Sequence, residues 1–242
     1  MAYPTEVDAV EAIPTSGALG STDPTHVEAH QQARAALLSI RDKIDSLPVG
    51  SDPTIFVTGL ATGSGAAGDN TTAIQTALDD AETAGGGIVQ IPNGTWQINA
   101  TLNVGSRTVI RGTGWDTELF MANGASTGAS PKPMIKAKNN TNWIGVENIQ
   151  LNGNSANQTD TTNKVSHGID FTRGSSEGSG APVYDGGFWC RNVLVYDCLG
   201  TGFKVDGTAT TTRLHHCYAY HNEVYGFALK TDCIVSDCVA GN

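Results

Sequence analysis

The feature that most constrains this chain is an internal repeat in its second half. Two short patterns alternate there, glycine–apolar–x–apolar and apolar–x–polar–apolar–x–apolar. The first occurs at residues 168–171, 202–205 and 226–229, and the second at 146–151, 190–195, 214–219 and 235–240. The last copies recur every 21 to 24 residues or so, which is the length of one coil of a parallel β-solenoid. The repeat therefore predicts short strands whose inward residues stack on those of neighbouring coils.

One polar position of the longer pattern predicts a bend in each coil. It holds Asn148, Asn192, His216 and Asp237. Asparagine and aspartate tolerate left-handed backbone angles, and side-chain amides can form ladders between stacked coils. We therefore expect this position to separate two strands and to stack along the solenoid.

The cysteines fit the same repeat. Cys190 lies at its first apolar position, and Cys217 and Cys238 lie at its second. The odd total of five cysteines excludes complete intramolecular pairing, and their spacing matches no zinc motif. We predict reduced thiols that act as small core residues, and we predict no metal site and no cofactor.

A helix and two short strands joined by a turn precede the repeat. Asn70 or Thr71 is expected to cap a helix that ends at residues 85–87. Its apolar face is formed by Ile74, Ala77, Leu78 and Ala81. Strands are expected at 55–57, 88–91 and 96–98, with a turn at Pro92-Asn93-Gly94.

Residues 68–78, 85–87 and 91–96 together resemble the start of the pectate-lyase-like β-helix domain, in which a short helix closes the N-terminal end of the solenoid. The resemblance covers roughly residues 55–242. It implies a mainly β fold, a right-handed, single-stranded parallel β-helix with a capping helix. The family includes pectate lyases, other glycoside-cleaving enzymes, epimerases and many phage tailspikes, so any activity must be argued from the site itself.

The N-terminal part divides into an irregular attachment segment (1–24), a helix (25–47), and a linker with the first strand (48–67), ahead of the β-helix (68–242). The helix carries a heptad seam formed by His26, His30, Ala33, Leu37, Ile40, Ile44 and Leu47. Two interpretations remain open: an amphipathic helix packed on its own domain, or an oligomerising coiled coil. We expect the second, as a homotrimer, since so short a helix needs partners in water.

Charge and targeting signals limit the partners. The net charge is −10 without a Lys/Arg cluster, which argues against nucleic acid. No apolar stretch is long enough for membrane insertion, and the N-terminus has no signal-peptide pattern, so synthesis in the host cytoplasm is expected. Residues 25–30 also look similar to the front of actinobacteriophage minor tail proteins. Together these features predict a virion protein whose residues 1–50 bind other phage tail or baseplate proteins.

The catalytic candidates come from a long excursion between coils. Asp170 precedes it, and Arg173, Glu177 and Asp185 lie within it. Glycan cleavage requires two suitably separated carboxylates, or a carboxylate-bound cation with a base, and loops on a rigid scaffold are common places for such groups. We favour the simpler interpretation of these residues, a Gly/Ser-rich surface loop or a contact between trimer subunits.

Two functions are consistent with the sequence. The first is a tailspike or tail fibre that attaches by its N-terminus and presents the β-helix to a host cell-surface polysaccharide. The second is a polysaccharide lyase or glycoside hydrolase built on the same β-helix. Because the chain stops at Asn242 just after a repeat, we expect the biological product to be longer.

Overall fold

The computed structural model describes residues 53–61, 68–127, 132–139, 141–159, 164–172, 186–206, 210–230 and 233–241. They belong to one compact unit, Asp52–Asn242. The predicted attachment segment, the coiled-coil helix with all seven seam residues, and most of the linker lie outside the described residues.

The described residues form strands and one α-helix, in the order β1 (Thr54–Phe56), α1 (Thr71–Thr83), β2 (Gly87–Gln90), β3 (Gly94–Ile98), β4 (Leu102–Val104), β5 (Thr108–Arg111), β6 (Thr117–Met121), β7 (Ile135–Ala137), β8 (Gly145–Asn152), β9 (Ile169–Asp170), β10 (Gly186–Tyr196), β11 (Phe203–Val205), β12 (Thr210–Tyr220), β13 (Phe227–Leu229), β14 (Cys233–Ser236) and β15 (Val239–Gly241). A 3-10 turn covers Ser155–Asn157.

Every pairing between these strands is parallel, and each strand pairs with its equivalent in the adjacent coil. One sheet has the order β4-β7-β9-β11-β13. The other contains ten strands along the path β1-β2-β5-β8-β10-β12-β14, with β3, β6 and β15 beside it. The first half of β8 pairs with β5 and its second half with β6, so the long strands span two faces of the solenoid.

The predicted bend position lies between these two halves. Asn148, Asn192, His216 and Asp237 all adopt positive φ, between 50° and 53°. The Asn192 side-chain amide donates to Asn148 Oδ1 at 3.0 Å, which is one rung of the expected ladder. The bend prediction is confirmed.

The core consists of inward-facing columns that run from coil to coil. Val146 pairs with Cys190 and then Leu214, and all three are buried. The Phe203 ring stacks on Phe227 with centroids 4.9 Å apart. All five cysteines are free thiols, as predicted, and Cys190, Cys198 and Cys217 are buried. The apolar positions of the repeat therefore act as stacking positions.

Helix α1 covers the N-terminal end of the solenoid and buries its predicted apolar face. Its N-cap is Asn70, one of the two predicted residues, although the Asn70 side chain makes no capping hydrogen bond. Asp69 instead accepts from the Thr71 backbone N–H at 3.0 Å. The Asn70 side chain donates to the carbonyls of Gly68 and Gln97 and bonds both backbone groups of Ala61, so it ties three segments together.

The same helix satisfies the edge of the five-stranded sheet. Gln75 accepts from the Asn103 N–H at 2.8 Å and donates to the Asn103 carbonyl at 3.0 Å. Lys138 pairs with Asp79 at 2.9 Å and with Glu82 at 2.6 Å on the helix. An uncovered edge would expose unpaired backbone groups, and α1 removes that exposure at β4.

Candidate functional site

Four of the five strands of the smaller sheet carry a polar residue at the same outward-facing position, and the fifth carries alanine. Strand pairing aligns Asn103, Lys136, Asp170, Lys204 and Ala228, one from each strand. Their neighbours along each strand point inward, because side chains alternate between the two faces of a strand. The strand of Asp170 therefore lies between the strands of two lysines, and neighbouring strands are about 4.8 Å apart. We call Lys136, Asp170 and Lys204 the lysine–aspartate row.

Asp170 is the one catalytic candidate that the structure describes. Its carboxylate accepts from the Thr172 backbone N–H at 2.9 Å, and the residue is only 7% exposed. The next residue, Phe171, stacks on Phe188 with ring centroids 5.0 Å apart. Asp170 thus occupies a fixed position at the end of a strand.

The other catalytic candidates, Arg173, Glu177 and Asp185, lie outside the described residues. The structure instead places Lys136 and Lys204 on the strands beside Asp170, a pairing that the sequence pattern does not predict. The signal was present in part, since Asp170 and Lys204 occupy the variable position of the glycine–apolar–x–apolar pattern. Lys136 lies in a copy without the glycine, and only the strand pairing places it in the row.

A second polar cluster surrounds Glu147 on β8. Its carboxylate accepts from Arg111 Nε at 3.0 Å and from Trp189 Nε1 at 2.9 Å. A guanidinium nitrogen of Arg191 lies 3.2 Å away. Burial favours a higher pKa for Glu147, but these hydrogen bonds and the two guanidinium charges outweigh it and lower the pKa below its ordinary value. Glu147 is therefore an ionised anchor for three coils, and it is unsuited to act as a general acid.

The exposed aromatic residues form a separate surface. Trp115 meets Tyr218 edge-on with ring centroids 5.3 Å apart, and Tyr218 stacks beside Tyr220 at 6.5 Å. Trp115 is 41% exposed. Such rings can stack on the apolar face of a sugar, although aromatic pairs also serve packing alone. Trp96 donates to the Pro92 carbonyl at 2.9 Å, which is a structural contact.

The histidines near the last coils form two groups. His221 lies 3.7 Å from Asp197, both at left-handed positions. His215 and His216 lie on β12, with their ring centroids 4.1 Å apart. The sequence spacing of these histidines matches no metal motif, but the structure places a carboxylate beside the second pair.

Comparison with known proteins adds relatives in sequence and in structure. No protein-family model matches the chain. The chain is 28% identical over 170 residues to mannuronan C5-epimerase AlgE6 of Azotobacter vinelandii, which covers 66% of this chain and 18% of that protein. Among solved structures, the A-module of the same epimerase is similar with a TM-score of 0.57 at 23% identity, covering 77% of this chain and 55% of the module.

A bacteriophage structure is similar as well. The pre-mature gene product 12 of bacteriophage phi29 matches with a TM-score of 0.54 at 13% identity, covering 86% of this chain and 31% of that one. Within the described residues, no helix combines the length and apolar character that a membrane crossing requires.

The chain spans about half of the epimerase module and less than a fifth of the whole epimerase. What these likenesses show is the fold: the chain is a mainly β, right-handed parallel β-helix.

Proposed function

We propose that this chain is part of a bacteriophage tailspike or tail fibre whose β-helix binds an acidic polysaccharide of the host surface. In this proposal residues 1–50 attach to other tail or baseplate proteins and hold three copies together. The protein is made in the host cytoplasm and carried in the virion. Support comes from the heptad seam, from the resemblance of residues 25–30 to minor tail proteins, and from the β-helix, a fold that a phi29 protein shares.

The observation that carries the glycan proposal is the lysine–aspartate row. Lys136 and Lys204 lie two coils apart, about 10 Å along the solenoid axis. Both side chains are partly exposed, and no ion pair joins either one to another described residue. In a chain of net charge −10, these two ammonium groups on either side of Asp170 give the row a local net positive charge.

An acidic polysaccharide suits the lysine–aspartate row because it repeats carboxylates along an extended chain. The lysines can each pair with one sugar carboxylate, while the buried Asp170 fixes the strand between them through its hydrogen bond with the Thr172 N–H. The rigid spacing of parallel strands holds these three groups at fixed intervals without a cost in loop ordering. The sequence similarity to an enzyme named for mannuronan, a polyuronate, supports the same ligand class.

Binding measurements on the full chain test this proposal. We expect a polyuronate to bind more tightly than a neutral glucan, and we expect the binding to weaken as salt is raised. The double variant Lys136→Gln/Lys204→Gln should reduce affinity at least tenfold. Lys164→Gln is the matched control, since it removes a lysine that pairs with Glu223 away from the row. Equal binding by the double variant and the control would refute the glycan assignment.

The proposed coiled coil of residues 25–47 has its own test. The full chain should have the solution mass of a trimer by light scattering, and Leu37→Asp/Ile40→Asp should reduce it to a monomer by placing charge in the heptad seam. Leu38→Asp changes an apolar residue of the same helix outside the seam and should leave the trimer intact. A monomeric wild-type chain would contradict the proposed coiled coil.

A second candidate is enzymatic modification of the same polysaccharide. Its support is the 28% identity to an epimerase and the position of Asp170 in the lysine–aspartate row, where a carboxylate is a candidate base beside a lysine-bound sugar carboxylate. Incubation with a polyuronate should then give epimerised units by proton NMR, or unsaturated ends by ultraviolet absorbance. Asp170→Asn should abolish this product while retaining binding. Binding without any product would leave adhesion as the function.

A further inference from the structure

The left-handed bend gives β12 an unusual outer surface. Consecutive residues of a regular strand point to opposite faces, so His215 and His216 would normally lie on opposite sides. His216 instead has a φ of 50°, which interrupts the alternation. Both histidines therefore face outward, with ring centroids 4.1 Å apart.

The next coil places two more polar side chains beside them. Strand pairing aligns His215 with Ser236, and the Nδ1 atom of His215 lies 2.9 Å from Ser236 Oγ. Asp237, at the next bend position, brings Oδ2 to 3.5 Å from the same nitrogen. One ligand atom from each of His215, His216 and Asp237 can be chosen so that all lie within 4.8 Å of one another.

These distances suit a small metal ion. Zinc binds imidazole nitrogen and carboxylate oxygen at about 2.0–2.2 Å. Ligands at the corners of a tetrahedron of that size lie about 3.4 Å apart. His216 and Asp237 are exposed, so their side chains can rotate by the small amount that closure requires.

The bend ladder itself does not require these residue types. In the two preceding copies the position is asparagine, and the amide pair satisfies the ladder with a 3.0 Å hydrogen bond. Only in the β12 and β14 coils does the column change to histidine above aspartate, with a second histidine beside it. Arg191 lies on the other side of His215, but its guanidinium is paired with Glu147 at 3.2 Å. The Arg191 charge is thus neutralised by Glu147 and does not act on His215, His216 and Asp237.

We propose that His215, His216 and Asp237 bind a divalent transition-metal ion of the zinc class. Ser236 lies beside the ion, and water completes its coordination. Two imidazoles with one carboxylate favour zinc over calcium or magnesium, which prefer oxygen ligands. The ion joins β12 to the following coil, which carries Ser236 and Asp237.

The test uses the full chain with Zn²⁺ in calorimetric titration and with Co²⁺ as a spectroscopic probe. His216→Asn is the key variant, because asparagine already occupies the equivalent positions 148 and 192 and fits the left-handed backbone. Asp237→Asn removes the carboxylate in the same conservative way. His221→Asn is the matched control, since it removes a histidine at another left-handed bend.

We expect one ion per chain and an affinity roughly tenfold or more lower in His216→Asn and Asp237→Asn, with His221→Asn unchanged. Zn²⁺ should raise the thermal midpoint of the wild type and not that of His216→Asn. The Co²⁺ spectrum should lack a thiolate charge-transfer band. Wild-type affinity in both site variants, an equal loss in the control, or a thiolate band from Cys238 or its neighbours would each overturn the proposal.

Discussion

Replacing Glu147 with glutamine is the change whose consequences the structure defines best. The side chain is 7% exposed and its carboxylate joins β8 to β5 on one side and to β10 on the other. Glutamine keeps the volume and one acceptor oxygen. Glutamine has no charge to hold Arg111 and Arg191. Its NH2 group replaces the second oxygen and cannot accept a hydrogen bond from Trp189 or from a guanidinium.

The magnitude follows from the contacts that are lost. A hydrogen bond to a charged group contributes about 1.5–3 kcal/mol, and Glu147 accepts from two guanidinium groups. The Arg111 and Arg191 side chains are 33% and 56% exposed, so solvent screens both interactions and each counts for less than its full value. We expect a loss of about 2 kcal/mol in the free energy of unfolding, or a midpoint lower by about 4–8 °C.

The effect has a defined pH dependence. The pKa of Glu147 is lower in the folded protein than its ordinary value of 4.5. The stabilisation is therefore fully present above pH 4.5 and is lost as the pH falls through the folded-state pKa. The difference between wild type and Glu147→Gln should be constant near neutrality and shrink in acid.

Urea denaturation followed by circular dichroism measures this difference. The matched control is Glu223→Gln, which breaks one ion pair with Lys164 in which both side chains are more than a third exposed. That variant should cost about 0–1 kcal/mol. A Glu147→Gln protein as stable as the control at neutral pH, or a difference that grows in acid, would refute the reasoning.

The remaining predictions concern the backbone and the thiols. Gly112→Ala should destabilise by about 1–3 kcal/mol in urea titration, because the new Cβ would meet the backbone oxygen of Asn148, which cannot move away cheaply. Asn192→Ala should cost about 2 kcal/mol, from the left-handed backbone and the lost amide bond, and Asn192→Gly should cost about half of that. Burial raises the pKa values of Cys198 and Cys217 to about 12, so iodoacetamide should label both only after unfolding, as mass spectrometry of digested protein would show.

Much of the fold follows from local sequence because a solenoid is built from contacts between neighbouring coils. The apolar positions of the repeat predict the inward columns, and the Asn148–Asn192 position predicts the bend. The apolar face of α1 was likewise readable from its helical spacing. The role of Asn70 could not be predicted from the sequence. Its side chain forms hydrogen bonds with segments 9 and 27 residues away and does not cap the helix N-terminus.

The candidate sites depend on register, and register is a tertiary property. Residues 173–185 separate Asp170 from the coil that follows, and a segment between β7 and β9 separates it from Lys136. A count of residues along the chain therefore cannot align Asp170 with Lys136 and Lys204, whereas strand pairing does. Glu147 likewise meets partners 36 and 44 residues distant.

The sequence by itself therefore determined the kind of fold, its inward and outward positions, its bends and its reduced thiols. Each of these depends on a pattern that repeats within one coil. The tertiary structure alone decided which outward residues meet across coils: the lysine–aspartate row, the Glu147 cluster and the His215–His216–Asp237 group. The physical reason is that coil lengths vary with their insertions, while hydrogen bonding between parallel strands holds the registry of neighbouring coils constant.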